Sequence, residues 1–221
     1  MKVLCVLSEK GGAGKTTVAV HLAVAANLAG LETAIIDLDP QASAAEWSDA
    51  RGQAPEAVAI PPARLEKLLA DLAGNECDLV IIDTPREANN AGYIAATNSD
   101  FILIPFRRGG FDFRALKRTL DLCRIAQKPP CILLNGMRIG ASRVHKDVRE
   151  ALEGTDGVSI APVLFHDRAA YVTASITGKT AQETDPTSPA AQETQELFSW
   201  ICQQLDLSTT RQSHKQTTAS S

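Results

Sequence analysis

Six short apolar runs recur along the chain without polar alternation: "VLCVL" (3–7), "TAIIDLD" (33–39), "DLVIID" (78–83), "FILIPF" (101–106), "CILLN" (131–135) and "IAPVLF" (160–165). A strand with one wet face alternates apolar and polar residues, so runs of this kind suit strands covered on both faces. Between them lie longer helical patterns such as "TTVAVHLAVAANLAG" and "RLEKLLADLAG", each closed by a glycine that can adopt the left-handed conformation at a helix end. Alternating strands and helices give a mostly parallel, twisted sheet with helices on both faces, so the expected class is α/β.

No boundary interrupts the pattern before residue 205, which predicts a single domain over 1–205. "GQAPEAVAIPP" (52–62) reads as a loop-rich passage with a short strand, and "TDPTSPAAQ" (184–192) as a turn into a last helix, "AQETQELFSWICQQL". Beyond it, "DLSTTRQSHKQTTASS" (206–221) has too few apolar residues to offset the entropy of ordering, and a disordered polar tail is expected. With 44% hydrophobic and 22% charged residues, the rest is of ordinary globular composition, which excludes a fibrous or wholly disordered chain. Aromatic residues make up only 5%, too few for a protein that grips single strands by stacking. The net charge of −4 means that any nucleic-acid binding must come from a local basic patch. Five cysteines without a C-x-x-C pair argue against a disulfide framework and for a reducing compartment. The apolar run at the N-terminus is too short for a secretory signal, and nothing approaches about 18 uninterrupted apolar residues, so a soluble cytoplasmic protein is expected.

Between the first strand and the first helix lies "SEKGGAGKTT" (8–17). A phosphate-binding loop ordinarily reads G-x-x-x-x-G-K-[ST]; here Glu9 stands at the first glycine, and a second lysine, Lys10, precedes the usual Lys15 by five residues. Gly11, Gly12 and Gly14, with Ala13 among them, let backbone N–H groups crowd around an anion at a helix N-terminus that carries partial positive charge. Lys15 would reach the β- and γ-phosphates of a nucleotide and the Thr16 hydroxyl a magnesium ion, with Thr17 completing the loop. "LVIID" places Asp83 where a carboxylate can hold that magnesium through water.

"KGGAGKTT", "IIDLDPQASAAEWS" and "LVIIDTP" together resemble the deviant Walker A ATPases of the ParA/MinD family, most of all the short plasmid-type ParA proteins of the ParF kind; "FHDRAAYVTASITGKTAQETDPTSPAAQE" is similar to the family's C-terminal segment. The resemblance covers about residues 1–205. It implies a phosphate-loop NTPase fold, ATP and Mg²⁺ as ligands, and a homodimer in the ATP state in which Lys10 crosses to the phosphates held by the other subunit. A cation donated in this way would stabilise both the dimer and the charge of phosphoryl transfer. Asp37 and Asp39, two apart at a strand end, point the same way. By resemblance Asp39 positions or activates the attacking water and Asp37 supports the magnesium shell; the alternative is that one of them caps the helix starting near Ser43. Asn135 lies where relatives place an adenine-contacting asparagine, or is a strand-end turn residue. Arg86 replaces the second proline of the D-x-P-P pattern of many partition ATPases, and reads either as a phosphate or partner contact or as a surface arginine.

Two basic groups stand out on this acidic chain. "GMRIGASRVHKDVREAL" carries Arg138, Arg143, Lys146 and Arg149, the last three spaced to share a helical face, and "FRRGGFDFRALKRTL" carries five more cations. Either group suits a solvated helix face as well as DNA phosphates. The resemblance favours non-specific DNA binding by the dimer, nucleoid association in the ATP state, Arg168 as a further contact, and a ParB-like, centromere-binding or cargo adaptor protein that stimulates hydrolysis. Two other readings compete. A MinD-like membrane switch would need a basic amphipathic C-terminal helix, which "AQETQELFSWICQQL" is not. A metabolic or iron–sulfur relative would need a substrate domain or cysteines presented together.

Overall fold

The computed structural model describes residues 1–86, 90–107, 112–140, 146–148, 150 and 157–208. The chain runs β1 (Lys2–Val6), α1 (Lys15–Leu28), β2 (Thr33–Asp37), α2 (Ser43–Arg51), β3 (Glu56–Ala59), a 3₁₀ turn (Pro62–Arg64), α3 (Leu65–Gly74), β4 (Leu79–Asp83), α4 (Asn90–Thr97), β5 (Phe101–Phe106), α5 (Asp112–Ile125), β6 (Pro130–Met137), β7 (Ser159–His166), α6 (Ala169–Thr177), α7 (Ala181–Thr184) and α8 (Pro189–Leu205). All six expected strands are present, and β3 is the short strand expected within 52–62. The strands form one parallel sheet of order β3-β2-β4-β1-β5-β6-β7.

The unalternating runs have the cause the sequence suggests: each strand faces a hydrophobic layer on both sides. Leu4, Val6, Ile35, Ile81, Leu103 and Leu133 point into the layer built with α1 and α8. Their chain neighbours Cys5, Ile36, Ile82, Ile102 and Ile132 point into the opposite layer with Leu65, Leu69, Leu116 and Leu122. The five cysteines are buried and unbridged, divided between the two layers as packing groups. Pro105 sits in an interior strand, but beyond the last pairing of β1 with β5, Val6 with Leu103, so its missing N–H breaks no β1 ladder.

Helix α1 is apolar nearly all round because it lies between the sheet and a second tier made by α2, α6, α7 and α8. His21 is fully buried there, with Nδ1 on the Thr17 carbonyl at 2.8 Å and its ring edge-on to Tyr171; burial pushes it down to about 4, so it is neutral. Arg51, at the end of α2, locks this tier. Its Nη1 and Nη2 donate to the two carboxylate oxygens of Glu183 at 2.8 and 2.7 Å, Nη1 also donates to the Gly178 carbonyl at 2.9 Å, and the guanidinium lies over Trp47. Gly178 has φ 67° and packs so closely on the Arg51 backbone that a side chain there would overlap it. Among the described residues no helix is long and apolar enough to cross a membrane.

Burial works against the charge of Glu183, but Arg51 and the N–H and hydroxyl of Thr180 outweigh it and hold the carboxyl below its usual range. That stability is present above the unfolded carboxylate pKa and is lost as pH falls through the lower folded one. Arg51→Ala is expected to lower unfolding free energy by about 3 kcal/mol at pH 7, because it strands a largely buried carboxylate. In urea titrations at neutral pH and near pH 3, the deficit should shrink in acid; a deficit independent of pH would separate it from the Glu183 charge.

Candidate functional site

On leaving β4 the chain crosses to the other half of the sheet, so the carboxyl end of β1 opens onto a switch point, the usual place for a ligand in an open α/β fold. The glycine loop occupies this place. Gly12 and Gly14 have φ 73° and 90°, and Gly14 forms the N-cap of α1. Only glycine fits position 14 for a second reason: a Cβ would overlap Asn135 Nδ2.

The nearby side chains fall into a definite arrangement. The Thr16 hydroxyl donates to Asp83 Oδ2 at 2.6 Å, while Asp83 Oδ1 is buried without a hydrogen-bond partner. Burial, with the Asp37 charge adding to it, pushes Asp83 up to about 7 against the pull of Thr16 and Lys15. Lys15 is buried, and its Nζ approaches the Lys10 carbonyl at 3.5 Å. Burial lowers it from the usual amine value, with Asp83 and Asp39 pulling the other way and Arg86 adding to the lowering. Lys10 stands at the rim, its Nζ 3.3 Å from the Arg107 carbonyl.

A buried carboxyl oxygen without a partner, next to a threonine hydroxyl in the first turn of α1 where the glycine loop ends, fits a magnesium nucleotide. Among the described residues no group of three or more His, Cys, Asp or Glu could hold a metal by itself. A cation here would therefore take most of its ligands from phosphate and water, as magnesium does.

Asp37 and Asp39 serve the backbone differently. Asp37 is fully buried: Oδ1 accepts the Asp39 N–H at 2.9 Å, and Oδ2 accepts those of Ala44 and Ala45 at 2.8 and 3.3 Å. It therefore caps α2, one of the two roles open from the sequence. Burial raises its pKa, against the three N–H groups that favour the charge. Asp39 is half-buried and accepts the Gln41 N–H at 3.0 Å, which leaves its carboxylate at the mouth and within electrostatic reach of Lys15.

Asn135 is not a strand-end turn residue, one of the two roles open from the sequence. β6 runs past it to Met137 through two irregularities of register, and its Nδ2 donates to the Ala13 carbonyl at 2.6 Å, so it props the glycine loop from below. No short motif announces this contact, which joins residues 122 apart in sequence. The same holds for Thr119, whose hydroxyl receives the Glu9 N–H, and for Thr84, whose hydroxyl donates to the Val6 carbonyl. Glu9 itself is paired with Arg118 at 2.7 Å, tying the start of the loop to α5.

Of the candidate DNA contacts, the structure describes Arg138, Lys146 and Arg168. Arg138 and Lys146 are exposed, and Lys146 lies 3.5 Å from Glu150. Arg143 and Arg149 lie outside the described residues. Arg168 is committed elsewhere: Nε and Nη2 donate to Glu193 Oε1 at 2.9 and 2.6 Å, on a carboxylate that also holds His166 and the Tyr171 hydroxyl.

Comparison with known proteins places this geometry. The family described as the CobQ/CobB/MinD/ParA nucleotide binding domain matches residues 4–181. The chain belongs to that family. Maintenance of carboxysome distribution protein A of Gloeobacter kilaueensis is 35% identical over 122 residues, 54% of this chain and 55% of that protein. Protein ParA of Rhizobium radiobacter is 31% identical over 125 residues, 55% and 56% of the two chains. The chain thus spans about half the length of the curated relatives it matches. Among solved structures, a chain of the MinC:MinD cell division complex of Aquifex aeolicus superposes with a TM-score of 0.73 at 18% identity, covering 92% of this chain and 96% of that one. An ATP complex of a Cyanothece McdA variant superposes at 0.72 and 18%, covering 94% and 97%. The fold of this family member is therefore that of the MinD/ParA nucleotide-binding proteins.

The contact of Asn135 with the loop generates a test. If it acts by supporting Ala13, Asn135→Ala should weaken ATP and GTP by the same factor, on the order of tenfold for a lost buried hydrogen bond with its neighbours left unsatisfied. If it reads adenine, ATP alone should suffer and the preference between the two should narrow. Calorimetric titration of both nucleotides distinguishes the outcomes.

Proposed function

We propose that the chain is a ParA-type ATPase for DNA partition or cargo positioning. In this reading ATP joins two copies into a dimer, the dimer holds DNA without regard to sequence, and hydrolysis, stimulated by an adaptor protein on the cargo, releases it. The observation that carries the reading is the second loop lysine: Lys10 stands at the rim of the phosphate cradle, five residues before a buried Lys15. A cation at the rim is placed to meet charge presented by a second copy, whereas Lys15 serves the nucleotide of its own chain. The curated relatives that match over about half their length include one named ParA and one named for maintenance of carboxysome distribution, which agrees with this class of work.

Each residue then has a task. The N–H groups of Gly11 to Thr17 and the Lys15 ammonium bind the phosphates, and the Thr16 hydroxyl and Asp83 hold the metal side. Magnesium, when bound, would neutralise the charge shared by the two terminal phosphates. Asp39 orients the attacking water and accepts its proton, and Lys10 steadies the developing charge from the other subunit. Asp37 supports the site at one remove, by fixing the loop that carries Asp39. Arg138, Arg143, Lys146 and Arg149 supply DNA phosphate contacts, with Arg168 contributing only where its bond to Glu193 is shared. In the cell this predicts a cytoplasmic protein that gathers on the nucleoid in its ATP state.

Fluorescence anisotropy of a labelled arbitrary duplex tests the cycle. Binding should appear with ATP–Mg²⁺ but not with ADP–Mg²⁺ or without nucleotide, and should weaken as salt rises through counterion release. No binding in any state would remove DNA from the proposal. Asp39→Ala should keep ATP-dependent DNA binding while turnover drops by about a hundredfold or more, the usual scale for loss of a general base. Hydrolysis at the wild-type rate would take Asp39 out of the mechanism.

A further inference from the structure

Arg86 stands three residues beyond Asp83, after Thr84 has pinned the start of this loop to the end of β1. The turn brings its side chain back across the glycine loop. A Cβ built on Gly11 would lie 3.2 Å from Arg86 Cδ and 3.8 Å from both Cγ and Nε. Gly11 does not have the positive φ of Gly12 and Gly14, so backbone freedom is not what position 11 requires. What it provides is room for the arginine stem.

Arg86 is exposed. Arg51, Arg107, Arg118 and Arg168 each pair with a carboxylate, whereas among the described residues Arg86 has no such ion pair. Two cations converging on one cleft repel unless an anion lies between them. The loop has the shape for a polyphosphate, and the arginine fork suits two oxygens of one phosphate.

We propose that Arg86 contacts the terminal phosphate of a nucleotide held by its own chain, and thereby makes the site favour ATP over ADP. The proposal rests on the nucleotide-site reading above. Lys15, Thr16 and Asp83 mark the β/γ end of a bound triphosphate. The loop that carries Arg86 leaves from Asp83, and the arginine stem packs over Gly11 of the glycine loop, so Arg86 lies at that end. ADP leaves the fork without its anion.

The test is a pair of affinities, measured by calorimetry on the full chain with magnesium, for a non-hydrolysable ATP analogue and for ADP. Wild type should bind both. Arg86→Ala should weaken the ATP analogue by roughly tenfold, the scale of a lost charge-assisted hydrogen bond, and ADP by less than about twofold. Arg86→Lys should fall between, since an ammonium keeps the charge but loses the fork. The ratio of the two affinities within one preparation does not depend on the fraction of active protein, so partial misfolding cannot imitate the result. An equal loss for both nucleotides, or an unchanged ratio, would overturn the proposal. So would a loss seen only at concentrations where the protein dimerises, which would give Arg86 to the partner's nucleotide. Wild type that bound neither nucleotide would remove the site reading itself, and Arg86 with it; wild type that bound both beside an unchanged Arg86→Ala ratio would remove Arg86 alone.

Discussion

Two carboxylates stand side by side, fully buried, at the end of the sheet. Asp37 and Asp83 are register partners on β2 and β4, and neither is exposed to solvent. Like charges so placed are costly, and the surrounding chain is arranged around two different answers. Asp37 is met by three backbone N–H groups, which sets the path from Asp39 to the first turn of α2. Asp83 is met by one hydroxyl and raised to about 7, with an oxygen left over. The first carboxylate is engaged by the backbone. The second is left short of partners at the place where a cation bound to phosphate would supply one.

The loop that would present the phosphate depends on the same edge. Its glycines give it the turn, but freedom of rotation is not by itself a shape. Asn135 holds Ala13 from the β6 side, Thr119 holds Glu9 from the α5 side, and the Glu9–Arg118 pair adds to that anchor. A loop held at both ends before the ligand arrives loses less entropy on binding, which is the physical content of preorganisation. The substitution of Glu9 for the usual first glycine is thus accommodated by a partner on α5.

Much of this was legible in the sequence, because periodicity and short motifs are local. Apolar runs without alternation gave the doubly covered sheet, and the strand–loop–helix setting of "SEKGGAGKTT" located the cradle together with Lys15, Thr16 and Asp83. What could not be read were contacts between distant residues with no motif of their own. Asn135 as a prop under Ala13, Arg51 bridging α2 to Glu183, and Arg168 held by Glu193 all join residues 25 or more apart in sequence, through ordinary residue types. Asp37 illustrates the boundary. Its side-chain direction follows from strand geometry, but whether it faces metal or backbone depends on where the next helix begins, which a pattern of apolar residues leaves uncertain by a few positions.

Charge pairing also bears on how such a chain could hold DNA. With a net charge of −4, it has enough acidic groups to occupy many of its cations, and it does: Arg118 meets Glu9, Arg107 meets Asp167, Arg168 meets Glu193. Of these, the Arg168 pair is largely shielded from solvent and is the most costly to open. The exposed pairs of Arg107 and Lys146 are worth under about 1 kcal/mol each and yield readily to a phosphate. A single copy on the proposed reading therefore offers DNA only a few weak contacts, and its grip fades quickly as salt rises. Joining two copies makes the second set of contacts intramolecular and raises their effective concentration without altering any one of them. On the proposed reading, an acidic chain with scattered basic residues is in this way suited to a nucleotide switch: ATP would not need to reshape a DNA site, because bringing two weak sites together would itself raise the affinity.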